Sequence, residues 1–159
     1  IGRTYNFYRD GDGAAVRCAR LSAYLESRGA APILLVGEAP GYRGARVSGI
    51  PFTSERQLTG AGPAEATATV VRRVLAELGV EEDVLCWNVV PTHPGTATSN
   101  RRPTGAEVAA GLPFLRRLAE GRRAIAVGRL AHEVVGGAYV RHPSHGGAAR
   151  FREDLRAAV

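Results

Sequence analysis

The 159-residue chain has no lysine, no methionine, only two cysteines and no apolar run of membrane-spanning length. Without lysine there is no side-chain amine for Schiff-base chemistry, a Walker-type phosphate loop or pyridoxal phosphate catalysis. Cys18 and Cys86 are too few for a cysteine-only zinc or iron–sulfur site, although one disulfide is open to them. No stretch approaches the ~20 apolar residues that a bilayer span requires. The chain opens at Ile1 rather than Met, so a trimmed leader stays open, and a cytoplasmic protein is the expectation.

Apolar residues make up 45% and charged residues 23%, a globular balance in a chain of one-domain length. A single domain over residues 1–159 is therefore expected. All twenty-one basic residues are arginine; against fifteen acidic ones they give a net charge of +6 and a pI near 10.1. That surplus raises nucleic acid as a partner. Solubility alone also accounts for it, and both readings stand at this point.

Short apolar runs alternate with helical patterns, which is the signature of crossover units in a parallel sheet. The runs are Ile33-Leu34-Leu35-Val36, Val84-Leu85-Cys86-Trp87, Ala124-Ile125-Ala126-Val127 and Ala138-Tyr139-Val140. Between them, Val70, Val71, Val74, Leu75 and Leu78 recur at helical spacing up to Gly79. Thr104 and Glu107 form a capping-box pair ahead of Val108, Leu112, Leu115 and Leu118. Cys18, Leu21 and Leu25 share one face of an expected first helix, and Arg129 to Val135 and Phe151 to Ala158 form two more. Residues 39–65 and 91–103 are expected as long loops. The predicted fold class is α/β, a three-layer α/β/α sandwich on a mostly parallel four-stranded sheet.

A polar cluster follows each apolar run: Gly37-Glu38-Ala39-Pro40-Gly41, then Asn88 to His93, then Gly128-Arg129, then Arg141-His142-Pro143-Ser144. In an open parallel sheet these loops leave the carboxyl edge, where ligands bind. Each element also has a plain structural reading. Gly37 and Gly41 fit a tight turn around Pro40, Asn88 a satisfied buried amide, Phe52 a core residue, and His142 and His93 surface side chains. No Gly-x-Ser-x-Gly elbow surrounds Ser144, and no His or Cys pair has zinc-ligand spacing.

Read together, the clusters resemble the uracil-DNA glycosylase superfamily. Gly37-Glu38-Ala39-Pro40-Gly41 is similar to the first motif of its iron–sulfur bacterial and archaeal branch. Ile50-Pro51-Phe52 resembles the Gly-x-Pro-Phe that follows, Asn88-Val89-Val90 the Asn-Val-Val strand, and Ser99 to Thr104 the Asn-Arg-x-Pro segment. His142-Pro143-Ser144 resembles the closing His-Pro-Ser. The likeness runs in order from Ile33 to Ser144. Departures accompany it. The four cluster cysteines of that branch are missing, with Thr92 standing where one would follow the strand, so no cluster and no other cofactor is expected. Ala39 replaces the Asp or Asn that positions water in other branches, and Asn100-Arg101-Arg102-Pro103 lacks the His of the branch that captures uracil covalently.

The resemblance implies these roles. Glu38 and His142 are the catalytic pair, Glu38 offsetting the sugar cation or orienting water and His142 stabilising the departing base at O2. Phe52 stacks on a flipped base and the Asn88 amide reads O4 and N3–H, with Gly37, Ala39, Pro40, Gly41 and Tyr42 completing the pocket. Asn100, Arg101, Arg141, Ser144, His145, Gly146 and Arg150 meet the DNA, with Gly146 allowing close approach to the duplex. The implied function is base release without strand cleavage from DNA carrying uracil or another deaminated base. A monomer with no obligate protein partner and no membrane association is expected. A non-catalytic binder of damaged DNA and an enzyme acting on free nucleotides stand as alternatives.

Overall fold

A computed structural model describes residues 1–159. Seven helices and four strands follow one another as α1 (Ala14–Ser27), β1 (Ile33–Gly37), α2 (Ala45–Ser48), α3 (Glu55–Thr59), α4 (Ala66–Leu78), β2 (Val84–Asn88), α5 (Gly105–Ala119), β3 (Arg123–Val127), α6 (Arg129–Val135), β4 (Ala138–Val140) and α7 (Ala148–Ala158). The strands form one sheet in the order β2-β1-β3-β4, and every pairing is parallel. The sheet is thus wholly parallel, where the sequence predicts a mostly parallel one.

Both faces of the sheet are apolar because helices cover both. Ile33, Leu35, Val84, Cys86, Ile125 and Val127 point to one side, where Val71 and Leu75 of α4 and Phe151 and Leu155 of α7 meet them. Leu34, Val36, Leu85, Trp87 and Ala126 alternate to the other, against Leu115 of α5 and Leu130 of α6. That alternation gives the three layers. Fully burying a Val, Leu, Ile or Phe side chain is worth about 1.5–3 kcal/mol, so these residues together favour one register.

Several elements begin where local chemistry dictates. At α5 the Thr104 hydroxyl accepts the Glu107 amide at 3.3 Å and the Glu107 carboxylate accepts the Thr104 amide at 2.9 Å, as the sequence predicts. Three expectations need correction. Residues 39–65 hold two short helices, α2 and α3, the latter with its own Ser54–Gln57 capping box. Helix α7 starts at Ala148, three residues before Phe151. Cys18 does not join Leu21 and Leu25 in the core: it is exposed, with its thiol donating to the Tyr8 carbonyl at 2.9 Å. Both cysteines are free.

Candidate active site

The carboxyl ends of the four strands surround a cavity of about 490 Å³. Charged and polar side chains outnumber hydrophobic ones in its lining, which suits a guest that hydrogen-bonds. The loop after β1 brings Gly37, Glu38, Ala39, Pro40 and Gly41 to the wall. Asn88 enters from β2, and His142, Ser144 and His145 from the loop after β4. Asn100 and Arg101 approach from the loop ahead of α5.

Gly37 is where two walls of the pocket meet. It pairs with Asn88 across the sheet, and a methyl group in place of its hydrogen would lie 2.5 Å from Phe52 Cζ and 2.7 Å from Asn88 Oδ1. The aromatic ring and the amide therefore converge over a residue with no side chain. Phe52 takes a left-handed backbone, φ +50°, which costs a non-glycine residue about 1–3 kcal/mol. Arg72 holds it there. Its guanidinium donates to the carbonyls of Pro51 and Phe52 at 3.2 and 3.3 Å and to Thr53 Oγ1 at 2.7 and 3.0 Å. Asn88 is buried, and the amides of Val89 and Val90 beyond it donate to the carbonyls of Gly37 and Glu38 at 2.9 and 3.1 Å.

Glu38 and His142 are the titratable side chains that the motifs bring together. Glu38 is partly buried, which pushes its carboxyl above the usual range, with Arg102 pulling the other way. Burial, then the neighbouring His145, holds His142 below the ordinary imidazole range, so the ring is neutral at neutral pH. The Ser144 amide donates to His142 Nδ1 at 3.2 Å, and Ser144 Oγ lies 2.8 Å from the same nitrogen. A nitrogen that accepts from a backbone N–H carries no proton of its own. The ring proton thus sits on Nε2, which leaves His142 a neutral donor toward the cavity.

The walls are tied to one another by buried polar groups. His93 is fully buried, with Nδ1 2.7 Å from the Pro40 carbonyl and Nε2 2.8 and 3.1 Å from those of Thr96 and Ser99. Either tautomer donates to one of the two loops, and the ring spans both. Asn100 Oδ1 accepts the Tyr42 amide at 2.9 Å. Its side chain thus braces the loop after Gly41.

The remaining sequence-predicted residues divide. Arg101 lines the cavity, but its guanidinium is forked onto Glu107 at 2.7 and 2.9 Å. That contact and the Thr104 cap hold the Glu107 carboxyl down to about 2. Tyr42, Arg141, Gly146 and Arg150 lie outside the lining. The Tyr42 ring stacks under Arg43 at 5.4 Å, and Arg150 pairs with Asp154 at 2.8 Å along α7. Gly146 has open space where a side chain would be. The structure adds Glu65, Thr67, Arg102 and Arg129 to the lining. Arg102 and Arg129 extend a polar cluster already visible in the sequence; nothing there marks Glu65 or Thr67.

No three His, Cys, Asp or Glu side chains gather as a metal site. The cysteines do not fit an iron–sulfur cluster either: Cys86 is buried in β2, its amide donating to the Tyr24 hydroxyl at 2.7 Å, and Cys18 lies on α1.

A wholly parallel α/β sheet with a pocket at its carboxyl edge is the frame of a ligand-binding α/β protein. The model of the uracil DNA glycosylase superfamily matches residues 26–157, and the chain belongs to that superfamily. It is a DNA glycosylase, and DNA is its partner. Among solved structures it is similar to wild-type SMUG2 of Pedobacter heparinus, with a TM-score of 0.75 at 14% identity. The match covers 98% of this chain and 86% of that one, and carries the fold. No curated protein matches the chain by sequence.

Proposed function

We propose that the protein is a monofunctional glycosylase that hydrolyses the N-glycosidic bond of uracil in DNA. The observation that carries this reading is the convergence of the Phe52 ring and the Asn88 amide over Gly37, with the neutral His142 donor lining the same cavity. A base flipped from the stack meets an aromatic face and an edge reader in one slot. The Asn88 amide donates to O4 and accepts N3–H. Cytosine presents an amine to that donor and has no N3 hydrogen, so the same amide rejects it.

Heterolysis of the C1′–N1 bond leaves the electron pair on uracil and positive charge on the deoxyribose. The Nε2–H of His142 donates to O2, where the negative charge develops. Preorganised donors of this kind are worth about 3–4 kcal/mol at the transition state. The Glu38 carboxylate offsets the sugar cation and orients the water that adds to C1′, the water's proton leaving to the carboxylate or to solvent. Arg102 and Arg129 line the same cavity as cations and suit the flanking phosphates, which supply affinity rather than base choice.

The test is direct. An oligonucleotide carrying one uracil is incubated with the protein and then treated with alkali, which breaks the strand at abasic sites. Breaks that depend on alkali are the expected result, and tight binding with no breaks overturns the reading.

A further inference from the structure

We propose that Glu65 is a specificity-determining residue, its carboxyl group closing the side of the pocket that Gly41 and Gly44 leave open. The space itself makes the case. A Cβ built on Gly41 would fall 1.6 Å from Glu65 Oε1, and one on Gly44 would fall 2.1 Å from Oε2. The carboxyl thus occupies the volume of two absent side chains, and Glu65 lines the same cavity as Phe52, Asn88 and His142.

Glu65 is the N-cap residue of α4, but its side chain makes no capping hydrogen bond and turns to the cavity instead. Burial is the one cause that lifts the Glu65 carboxyl above its usual range, with no cation or donor acting on it. The arginines of the adjoining loop face elsewhere, Arg43 over the Tyr42 ring and Arg46 over the Tyr5 ring at 5.1 Å. The carboxyl is partly buried and takes no hydrogen bond from the protein, so it is free to face a guest in the cavity. The assignment rests on the uracil reading above. Asn88 takes O4 and N3–H, His142 takes O2, and N1 carries the sugar. The C5–C6 edge is what remains for the wall at Gly41. A hydrogen on C5 is tolerated beside a carboxyl oxygen, whereas a methyl group collides with it.

The experiment compares Glu65→Ala and Glu65→Gln with the wild type on duplexes carrying uracil or 5-methyluracil opposite guanine. The readout is the ratio of the two release rates, from which any general loss of activity cancels. Removing the wall raises 5-methyluracil relative to uracil by about 10–200-fold in Glu65→Ala, the range for one methyl group in a pocket. The nearly isosteric Glu65→Gln keeps the wild-type ratio. A Glu65→Ala variant with the wild-type ratio overturns the proposal. So does a collapse of uracil release in Glu65→Gln, because the carboxyl would then act by charge. Glu65→Ser replaces the alanine variant if that one melts early. Binding to 2′-fluoro duplexes, which resist cleavage, reads the pocket without turnover. If the wild type releases no base while Glu65→Ala gains affinity for 5-methyluracil duplexes, the uracil reading fails and the wall stands. Unchanged affinity there overturns the wall as well.

Discussion

Replacing Gly37 with alanine tests the site where Phe52 and Asn88 converge. The new methyl would sit 2.5 Å from Phe52 Cζ, 3.1 Å from Phe52 Cε2 and 2.7 Å from Asn88 Oδ1. Carbon atoms in good contact lie about 3.5–4.0 Å apart, so the overlap with the ring tip is about 1 Å. Relief requires moving Phe52, whose backbone Arg72 clamps, or Asn88, which is buried at the end of β2. Overpacking of this kind costs about 1–3 kcal/mol. The lower chain entropy of alanine in the unfolded state returns about 0.4–1 kcal/mol. The net loss of about 1–2 kcal/mol lowers the melting temperature by about 2–8 °C in a chain of this size. Function suffers more than stability, because ring and amide are pushed apart together, and a displacement near 1 Å costs about a hundredfold in rate. Thermal melting, single-turnover uracil release and DNA affinity are measured on the same preparation. The expected pattern is a modest melting shift, a large loss of release and retained duplex affinity. Wild-type melting with wild-type release would refute the convergence of Phe52 and Asn88 as the base slot.

Four further outcomes are expected. Asn88→Asp offers acceptors only, so uracil release falls by the ~1–3 kcal/mol of an unpaired buried group; an unaltered uracil-to-cytosine ratio in a folded variant removes Asn88 from the site. His142→Ala slows release about 10²–10³-fold at the chemical step, and Glu38→Gln slows it less; equal binding of uracil duplexes by wild type and His142→Ala separates chemistry from affinity. Because burial raises Glu38, its carboxylate is lost on acidification while the pH is still above the ordinary 4.5; the wild-type rate falls there and the Glu38→Gln profile stays flat. Glu107 is displaced downward, from 4.5 to about 2, so its contribution to stability is present above pH 4.5 and disappears as pH falls toward 2. Melting curves of wild type and Glu107→Gln should therefore differ at neutral pH and converge at the acid end.

The fold was legible wherever apolar pattern and punctuation agreed. β1 lies between Pro32 and the polar cluster that opens at Gly37, α4 stops at Gly79, and α5 starts on its Thr104–Glu107 box. The start of α7 is silent in the sequence because Ala148, Ala149 and Arg150 carry no apolar period; Phe151 is the first residue to reach the core. α3 carries the same kind of cap as α5, but only five residues follow it and none is buried, so no periodicity announces it. In the site, the residues contiguous with a strand end were readable because the sheet fixes where strand ends go. Glu65 was not, since its place depends on how residues 53–65 fold back over Gly41. The arginines show a different limit: sequence identifies a cation but not its partner. Arg150 finds Asp154 one helical turn on, a spacing visible in advance, whereas Arg101 finds Glu107 through a loop.

The order of strands has a consequence for dynamics. Asn88 ends β2 and His142 follows β4, and these are the two outer strands of the sheet, which share no hydrogen bond. A base gripped at both ends would brace them across β1 and β3. β4 is only three residues long, and short margins are where native proteins open first. Each opening carries His142 away from Asn88, so the population able to react is the population in which that margin is closed. Ligand that binds only the closed form should therefore slow amide hydrogen exchange in Ala138–Val140, which it does not itself contact.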